Sequence, residues 1–449
     1  VLTTNLGRVD YDDIAIGVEY EGKAVPADSF FGHAERVHVY RSTSPYAPVL
    51  TRCAYDMSIS GTIADSANTR CTAGVLPLLQ ADVGTIGSPT VAQIMNRVVV
   101  SHDFLGANFE QFLNSQDANG DFRRLLGSVT AIVIGSHVRP SFYTFATGAI
   151  YLDADNFWLT PQQRDVVTEV ADYREAFAKP FKYSHLNRMV LNGDYADKYI
   201  APDVRQSRSV SDLIYQAGRL MYHELGHAND FFPSANRVID PALKIYDAAA
   251  PRVNAKTLPS DLLAAQYPLV SAEMRDLAAV LYGGVTPTSI QTAYTAAQIG
   301  GFFGPDRATD DYAYTNTRED LAMLYEEFMM YTRHNVRYDT VYTELITSST
   351  TANQLGIVWG QRGRIGATAI KPRIKLVLAN AYPTILPSAV DALPAPITLS
   401  GTWTSSLSQT SAPPPGGTVL LGGVMSSDAT ADNGRLRADL RNTSAGPHR

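Results

Sequence analysis

A run of apolar residues at helical spacing marks the stretch between residues 213 and 221. Its members recur every three or four positions and so share one helix face: Leu213, Ile214, Ala217, Leu220 and Met221. Ser209 precedes the run, where its hydroxyl can accept a hydrogen bond from a backbone N–H of the first turn. Pro233 follows it, and proline cannot continue a helix. The pattern predicts an amphipathic helix that begins near Ser209 and ends shortly before Pro233.

A second helical pattern begins near Thr317. Thr317 can cap the helix, with Asp320 three residues later as the second half of a capping box. The apolar stripe that follows has helical spacing: Leu321, Leu324, Phe328 and Tyr331. Glu319 falls in the first turn, beside the cap, where its carboxylate can point into a cleft. The pattern predicts a packed helix with an acidic first turn.

Two apolar runs between residues 129 and 152 are typical of strands. Residues 129–134 are mostly β-branched and apolar, which favours a buried strand. Residues 147–152 predict a further strand, which would form the edge of a sheet and border a cleft. Unpaired backbone groups at such an edge can hold an extended peptide by β-addition, although an ordinary hairpin strand explains the same residues.

Together these patterns predict a protein of the α+β class. Residues 1–85 hold short segments separated by Pro, Gly and Ser, which predicts a β-rich N-terminal region. Residues 86–382 contain both helical patterns and both strand patterns, and we expect them to form one domain. Residues 383–449 are rich in Pro, Ser, Thr and Gly, with a linker-like break at residues 412–417, and predict an irregular C-terminal tail. This tail could mediate self-assembly or contact with a partner.

Composition and charge narrow the classes of partner. The net charge of -7 and the lack of a dense basic tract argue against nucleic acid. No apolar run approaches the roughly 18 residues that cross a bilayer, so no transmembrane segment is predicted. Five basic side chains crowd residues 355–382, where the pattern favours a solvated helix face over a basic groove for an acidic substrate: Arg362, Arg364, Lys371, Arg373 and Lys375.

The two cysteines give information about the cellular compartment in which the protein resides. Cys53 and Cys71 each follow Thr-Arg, and the chain has no other cysteine. A single even pair favours a disulfide over two buried thiols, and a disulfide indicates an oxidising compartment. The sequence begins with Val1 rather than methionine, which fits removal of a signal peptide as well as a trimmed chain. We therefore expect a secreted, periplasmic or cell-surface protein.

The first predicted helix carries the most specific motif of the chain, His223-Glu224-Leu225-Gly226-His227. Residues four apart on a helix lie on one face, so His223 and His227 can bind one metal ion. Glu224, one position further round the helix than His223, can reach a water at that ion. This is the arrangement of two zinc ligands and a general base that zinc hydrolases use.

A third ligand is needed, because a catalytic zinc site takes three protein ligands and leaves one position for water. No histidine follows at the spacing of the longer motif H-E-x-x-H-x-x-G-x-x-H. The third ligand should therefore be an acidic side chain from a separate helix. Glu319 is the preferred candidate, and Glu326 and Glu327 are the alternatives.

The two helices together resemble those of the gluzincin metallopeptidases, and more narrowly the catalytic domain of anthrax lethal factor and related bacterial secreted proteins. The metal helix of that group reads H-E-x-G-H-A-x-D, which residues 223–230 match. Its ligand helix often reads E-D-x-A-E, which begins here at Glu319. The resemblance covers roughly residues 130–340. It implies a zincin-like core, with a small twisted sheet beside the metal helix, and Glu319 as the third zinc ligand.

The resemblance also implies a tyrosine upstream of the ligand helix that stabilises the oxyanion of the reaction. Tyr312 fits this role best by spacing, and Tyr314 is next. The second acidic residue of the family's ligand helix is Met323 here. This departure removes an expected hydrogen-bonding partner beside the zinc site.

These expectations describe an exported zinc peptidase that cleaves a protein or peptide substrate. Glu224 would act as general base and Tyr312 as oxyanion donor. The rival hypothesis is a catalytically weak or inactive surface or assembly protein that keeps a zincin fold as scaffold. Met323, the low charge content and the polar tail fit that rival.

Overall fold

The computed structural model describes residues 37–54, 71–84, 87–136, 138–167, 173–382, 384–410 and 429–445, together with short strands nearer the N-terminus. Most of the predicted β-rich N-terminal region lies outside the described residues, and so does the linker-like break at residues 412–417. The short strands form two antiparallel pairs, Leu2–Thr3 (β1) with Val9–Asp10 (β2) and Glu19–Tyr20 (β3) with Lys23–Ala24 (β4).

The chain divides into two compact units. The first contains Val1–Asp172, Arg205–Leu258 and His448–Arg449, and the second contains Tyr173–Val204 and Pro259–Pro447. Each unit combines helices with a sheet, which is compatible with the predicted α+β class. Among the described helices, none has the length and apolar character that crossing a membrane requires.

The first unit is built on a sheet of five described strands. Their order is His38–Val39 (β5), Val98–Val100 (β6), Ile132–Gly135 (β7), Ala149–Asp153 (β9) and Phe142–Thr144 (β8). The three inner strands run parallel, and each outer strand pairs antiparallel with its neighbour. The inner strands are buried on both faces, which explains their continuous apolar sequence. The buried strand predicted at residues 129–134 is thus confirmed, beginning at Ile132.

The first unit also contains helices. They are Ala47–Ala54 (α1), Val91–Met95 (α2), Asp103–Gln116 (α3), Asp121–Leu125 (α4), Pro161–Arg164 (α5), Arg219–Phe231 (α6) and Ile245–Asn254 (α7). Three of them, α1, α3 and α6, contact strands of the sheet.

The prediction of an edge strand at residues 147–152 is wrong. β9 pairs with β7 on one side and β8 on the other, so its backbone groups are already used within the sheet. The edge strand is β8, and it lies beside α6. Next to it, the Phe145 ring stacks on Phe231 at the end of α6, with centroids 4.6 Å apart. Because β8 is only three residues long, it offers no alternation from which the sequence could have predicted it.

A disulfide joins Cys53 and Cys71, as predicted. Both cysteines are buried in an apolar cluster of the first unit that also contains Leu50, Val99 and Val133. The bond therefore fixes α1 and the chain near Cys71 to the same core.

Reduction of this disulfide should lower the free energy of unfolding by about 3 kcal/mol, because a cross-link over 18 residues restricts the unfolded chain. Urea unfolding with and without reductant measures the change. A Cys53→Ser/Cys71→Ser variant is the control, and its unfolding midpoint should not respond to reductant. An unchanged midpoint for the reduced wild-type protein would contradict the expectation.

The second unit contains an antiparallel sheet, also of five described strands. Their order is Asp194–Tyr195 (β11), Tyr183–Leu191 (β10), Arg337–Glu344 (β12), Ile357–Arg362 (β13) and Ile397–Thr398 (β14). The helices of this unit are Pro259–Gln266 (α8), Ala272–Leu281 (α9), Ala296–Phe303 (α10), Thr317–His334 (α11), Lys371–Ala381 (α12), Ser388–Asp391 (α13) and Ala429–Ala445 (α14). α14 lies in the segment that the sequence predicts to be irregular.

Buried arginines tie this second unit together. On β12, Asp339 accepts hydrogen bonds from Arg188 of β10 (Nε to Oδ2, 2.7 Å) and from Arg362 of β13 (Nε to Oδ1, 2.6 Å). Arg364 donates to backbone carbonyls, and Arg373 pairs with Asp320 on α11. The solvated helix face predicted for the basic residues is therefore wrong for these three arginines of the 355–382 stretch, which are buried.

Candidate metal centre

The helix that carries the histidine motif forms much as the sequence predicts. The Ser209 hydroxyl accepts a hydrogen bond from the backbone N–H of Asp212, and the Asp212 carboxylate accepts one from the N–H of Ser209. A 3-10 turn and a π-helical segment, Ile214–Gly218, lead into α6, which ends at Phe231. Short π-helical segments are frequent at functional sites.

Packing holds α6 rigidly in the first unit. Leu220 and Leu225 are fully buried, and the ring of Tyr222 lies 4.5 Å from that of Phe122 on α4. A helix buried on all sides normally carries apolar side chains. The polar side chains of α6 are therefore expected to have a structural or functional role.

The two imidazoles of the motif meet on one face of α6. Their Nε2 atoms lie 3.2 Å apart, and the rings stand nearly perpendicular, at 83°. His223 is fully buried and His227 almost so. Two buried imidazole nitrogens this close are typical of a shared metal ion.

Glu224 lies on the same helix and is completely buried. A buried carboxylate is costly to keep unless it serves as a ligand, an ion-pair partner or a proton acceptor. The motif residues predicted from the sequence thus all belong to the first unit and are buried.

Asn229 anchors the end of α6 that follows the histidines. Its Oδ1 accepts hydrogen bonds from Ser128 (3.0 Å) and Arg237 (2.6 Å), and its Nδ2 donates to the carbonyl of Leu225 (2.8 Å). These contacts fix the last turn of the helix, and with it the backbone that carries His227. No local pattern predicts these contacts, because Ser128 lies 101 residues from Asn229 and Arg237 lies beyond the end of the helix.

Glu319 lies in the first turn of α11, as predicted, but Thr317 is not the cap. Asn316 is the cap residue, and its Oδ1 accepts hydrogen bonds from the backbone N–H groups of Arg318 (2.8 Å) and Glu319 (3.1 Å). Either residue can cap a helix, and asparagine ranks above threonine in this position. Glu319 itself is only 9% exposed.

His223, His227 and Glu319 form a group that can hold a metal ion. Each offers one ligand atom, and these atoms all lie within 4.8 Å of one another. Two imidazole nitrogens and a carboxylate oxygen, all buried, are a suitable donor set for zinc. The three residues that the sequence predicts as ligands therefore form a group that could bind a metal ion.

The alternatives Glu326 and Glu327 are not part of this group. Glu326 accepts a hydrogen bond from the hydroxyl of Tyr338 (2.8 Å), and burial raises the pKa of Glu327 well above its usual value. Met323 lies in an apolar cluster of the second unit, with Tyr312 and Tyr342 among its other members.

Tyr312 and Tyr314 belong to a 3-10 turn shortly before α11. The Tyr312 hydroxyl lies 3.5 Å from a guanidinium nitrogen of Arg174, and its ring meets that of Tyr282 edge to face. The Tyr314 hydroxyl donates to Asp306 (2.9 Å). Of the two candidates, Tyr314 is therefore engaged by a carboxylate, which disfavours it as an oxyanion donor. No local pattern predicts the approach of Arg174 to Tyr312, because the two residues lie 138 positions apart in the chain.

A second group of possible ligands was not predicted. His185, an isolated histidine in the sequence, lies with Asp310 and Asp311 in the second unit. The adjacent pair of aspartates just before Tyr312 is the one sequence feature that could have drawn attention to it.

Comparisons with protein-family models, with curated proteins and with solved structures found no match to this chain. The interpretation of the site therefore depends on its residues and their geometry.

Proposed function

We propose that this chain is an exported zinc-dependent peptidase of the zincin type. The observation that carries the proposal is the pair of buried imidazoles whose Nε2 atoms lie 3.2 Å apart on α6, with Glu319 completing the ligand group. The Cys53–Cys71 disulfide supports an oxidising compartment, and hence export.

His223, His227 and Glu319 would hold the zinc ion, which when bound supplies a Lewis acid that polarises a carbonyl group and acidifies water. Glu224 would accept a proton from the attacking water and return it to the leaving amine. Its complete burial supports this role, because a desolvated carboxylate is a stronger proton acceptor than a solvated one.

Tyr312 would stabilise the oxyanion that develops on the substrate, through its hydroxyl. The resemblance to the lethal-factor group suggests this tyrosine by its spacing from Glu319. The edge-to-face contact with Tyr282 restrains the ring of Tyr312, which favours a fixed donor over a mobile one.

The rival proposal, a scaffold without turnover, has one observation in its favour. At the position where peptidases of the lethal-factor group carry a second acidic residue on the ligand helix, Met323 is 3% exposed and packs among apolar side chains. A carboxylate there would orient a ligand through a hydrogen bond, and a thioether does not. This bears on the rate of turnover more than on metal binding.

Cleavage of an unfolded protein such as casein tests the proposal. A zinc peptidase should cleave it, lose activity on dialysis against a chelator, and regain activity with zinc. Zinc binding without cleavage would favour the scaffold. Cleavage that survives complete removal of metal would contradict the proposed chemistry.

Replacing His223 by alanine should remove the metal that α6 binds, since one of its two imidazole ligands is lost. Elemental analysis of the purified variant measures the metal content. His38→Ala is the matched control, because His38 pairs with Asp103 near the surface and belongs to neither ligand group. Equal metal content in the wild-type and His223→Ala proteins would rule out the site.

A further inference from the structure

The second unit contains a buried polar group of its own. His185 on β10, Asp310 and Asp311 are each less than 10% exposed, and their ligand atoms lie within 4.8 Å of one another. The group is contained entirely in the second unit, and none of its members belongs to the proposed peptidase site.

The surroundings orient these ligands. His185 Nδ1 lies 2.7 Å from Asp311 Oδ2, and the Tyr282 hydroxyl donates to the other oxygen of Asp311 (2.9 Å). Asn187, two residues along β10, donates its amide N–H to Asp310. Ligands held by hydrogen bonds from neighbouring side chains are characteristic of metal sites.

Four buried polar atoms here lack a hydrogen bond of ordinary geometry. They are Nε2 of His185, Oδ1 of Asn187, Oγ1 of Thr309 and Oε1 of Glu327. The side chains that carry them interact in two pairs, His185 with Asn187 and Glu327 with Thr309, but neither pair forms a well-directed hydrogen bond. Buried polar atoms normally form such bonds, so poorly formed pairs beside two buried carboxylates favour an ion at this group.

The charges of the region point the same way. Two adjacent buried carboxylates, those of Asp310 and Asp311, share a single buried imidazole, that of His185. A divalent cation would offset the repulsion between the two carboxylates.

We propose that His185, Asp310 and Asp311 bind a second metal ion, a divalent transition metal such as zinc or manganese. One imidazole nitrogen with carboxylate oxygens suits these ions, whereas calcium and magnesium prefer oxygen alone. The proposal does not depend on the proposed peptidase function.

The site would stabilise the segment that carries Tyr312. The backbone N–H of Tyr312 donates to Asp310 Oδ1 (2.6 Å), so an ion that holds Asp310 also holds the turn at Tyr312–Tyr314. It would connect this turn to β10 through His185. The role is structural, since the ion acts on Tyr312 through Asp310.

A variant that lacks the first site isolates the second. His223→Ala/His227→Ala protein is dialysed against Zn²⁺ alone or Mn²⁺ alone, and its metal content is measured. About one ion per chain is expected, and adding Asp311→Asn should remove it, because the site loses a charged ligand. Adding Asp276→Asn instead, at an exposed carboxylate on α9, should not change the metal content.

Metal-free His223→Ala/His227→Ala protein would overturn the proposal, and so would metal that survives Asp311→Asn. In either case the group is an imidazolium–carboxylate network. If Asp311→Asn prevents folding, the metal content of the wild-type protein is measured instead. Two ions per chain would support the second site. One ion per chain, lost when both histidines of α6 are replaced, would overturn it. Failure of the peptidase proposal looks different, because metal content would then be the same with and without these two histidines.

Discussion

Replacing Glu224 by glutamine is expected to abolish cleavage while leaving the metal in place. Glutamine has nearly the shape of glutamate but cannot accept the proton of the attacking water. A positioned general base contributes about 100-fold to 10,000-fold to the rate, so the turnover rate should fall by at least about 100-fold. The ligands His223 and His227 are unchanged, so the metal content should not fall.

Initial rates of casein cleavage and the metal content of the same sample test this expectation. Glu273→Gln is the matched control, because Glu273 is exposed on α9 and the substitution is chemically identical. The control should keep the wild-type rate. A Glu224→Gln variant that is equally active would remove the general-base assignment, and one that loses its metal would show that Glu224 acts through metal binding or folding instead.

Replacing Asp339 by asparagine is expected to destabilise the second unit more than any surface substitution. Asp339 is fully buried and neutralises two buried guanidinium groups, those of Arg188 and Arg362. Removing one partner from a buried ionic group leaves uncompensated charge in the interior, which typically costs about 3–5 kcal/mol. The free energy of unfolding should fall by an amount in that range.

Urea unfolding followed by circular dichroism measures this loss. Asp165→Asn is the control, since Asp165 pairs with Arg205 on the surface and both side chains are more than half exposed. Solvent screens such a pair, so the control should unfold at the wild-type midpoint. A small effect of Asp339→Asn, equal to that of the control, would show that water reaches the two arginines.

Local patterns predicted the helices that carry the proposed metal ligands. Apolar residues recur at helical spacing in α11 and in the segment that leads into α6. Ser209 caps the 3-10 turn at the start of that segment, and Pro233 follows the end of α6. The spacing of His223 and His227 determines that they share a helix face whatever surrounds the helix. Ligand geometry within one helix is thus a local property, and local properties can be predicted from sequence.

The strands of the second unit could not be predicted in this way. β10 is buried along nearly its whole length, so it lacks the polar–apolar alternation of a half-buried strand. It even buries Arg188, because Asp339 lies opposite on β12. That partner is 151 residues away in the chain, and no local pattern indicates it.

Dependence on tertiary contacts also explains why the edge strand and the group at His185 could not be predicted. Whether residues 147–152 form an edge depends on a partner strand, Phe142–Thr144, that is too short to predict. His185 is an isolated histidine in the sequence, and only the fold brings it to Asp310 and Asp311. The position of a strand in a sheet and the membership of a side-chain cluster depend on contacts between distant parts of the chain, which local sequence patterns do not show.

The central claim is that His223, His227 and Glu319 bind one metal ion together. The most direct test is elemental analysis of freshly purified, unchelated wild-type protein beside Glu319→Ala, with Glu273→Ala as the control for an exposed glutamate. We expect the Glu319 variant to hold about one metal ion per chain fewer than both other proteins, or to release that ion at much lower chelator concentration, because it loses one of three ligands. Identical metal content and identical chelator sensitivity in all three proteins would contradict the account.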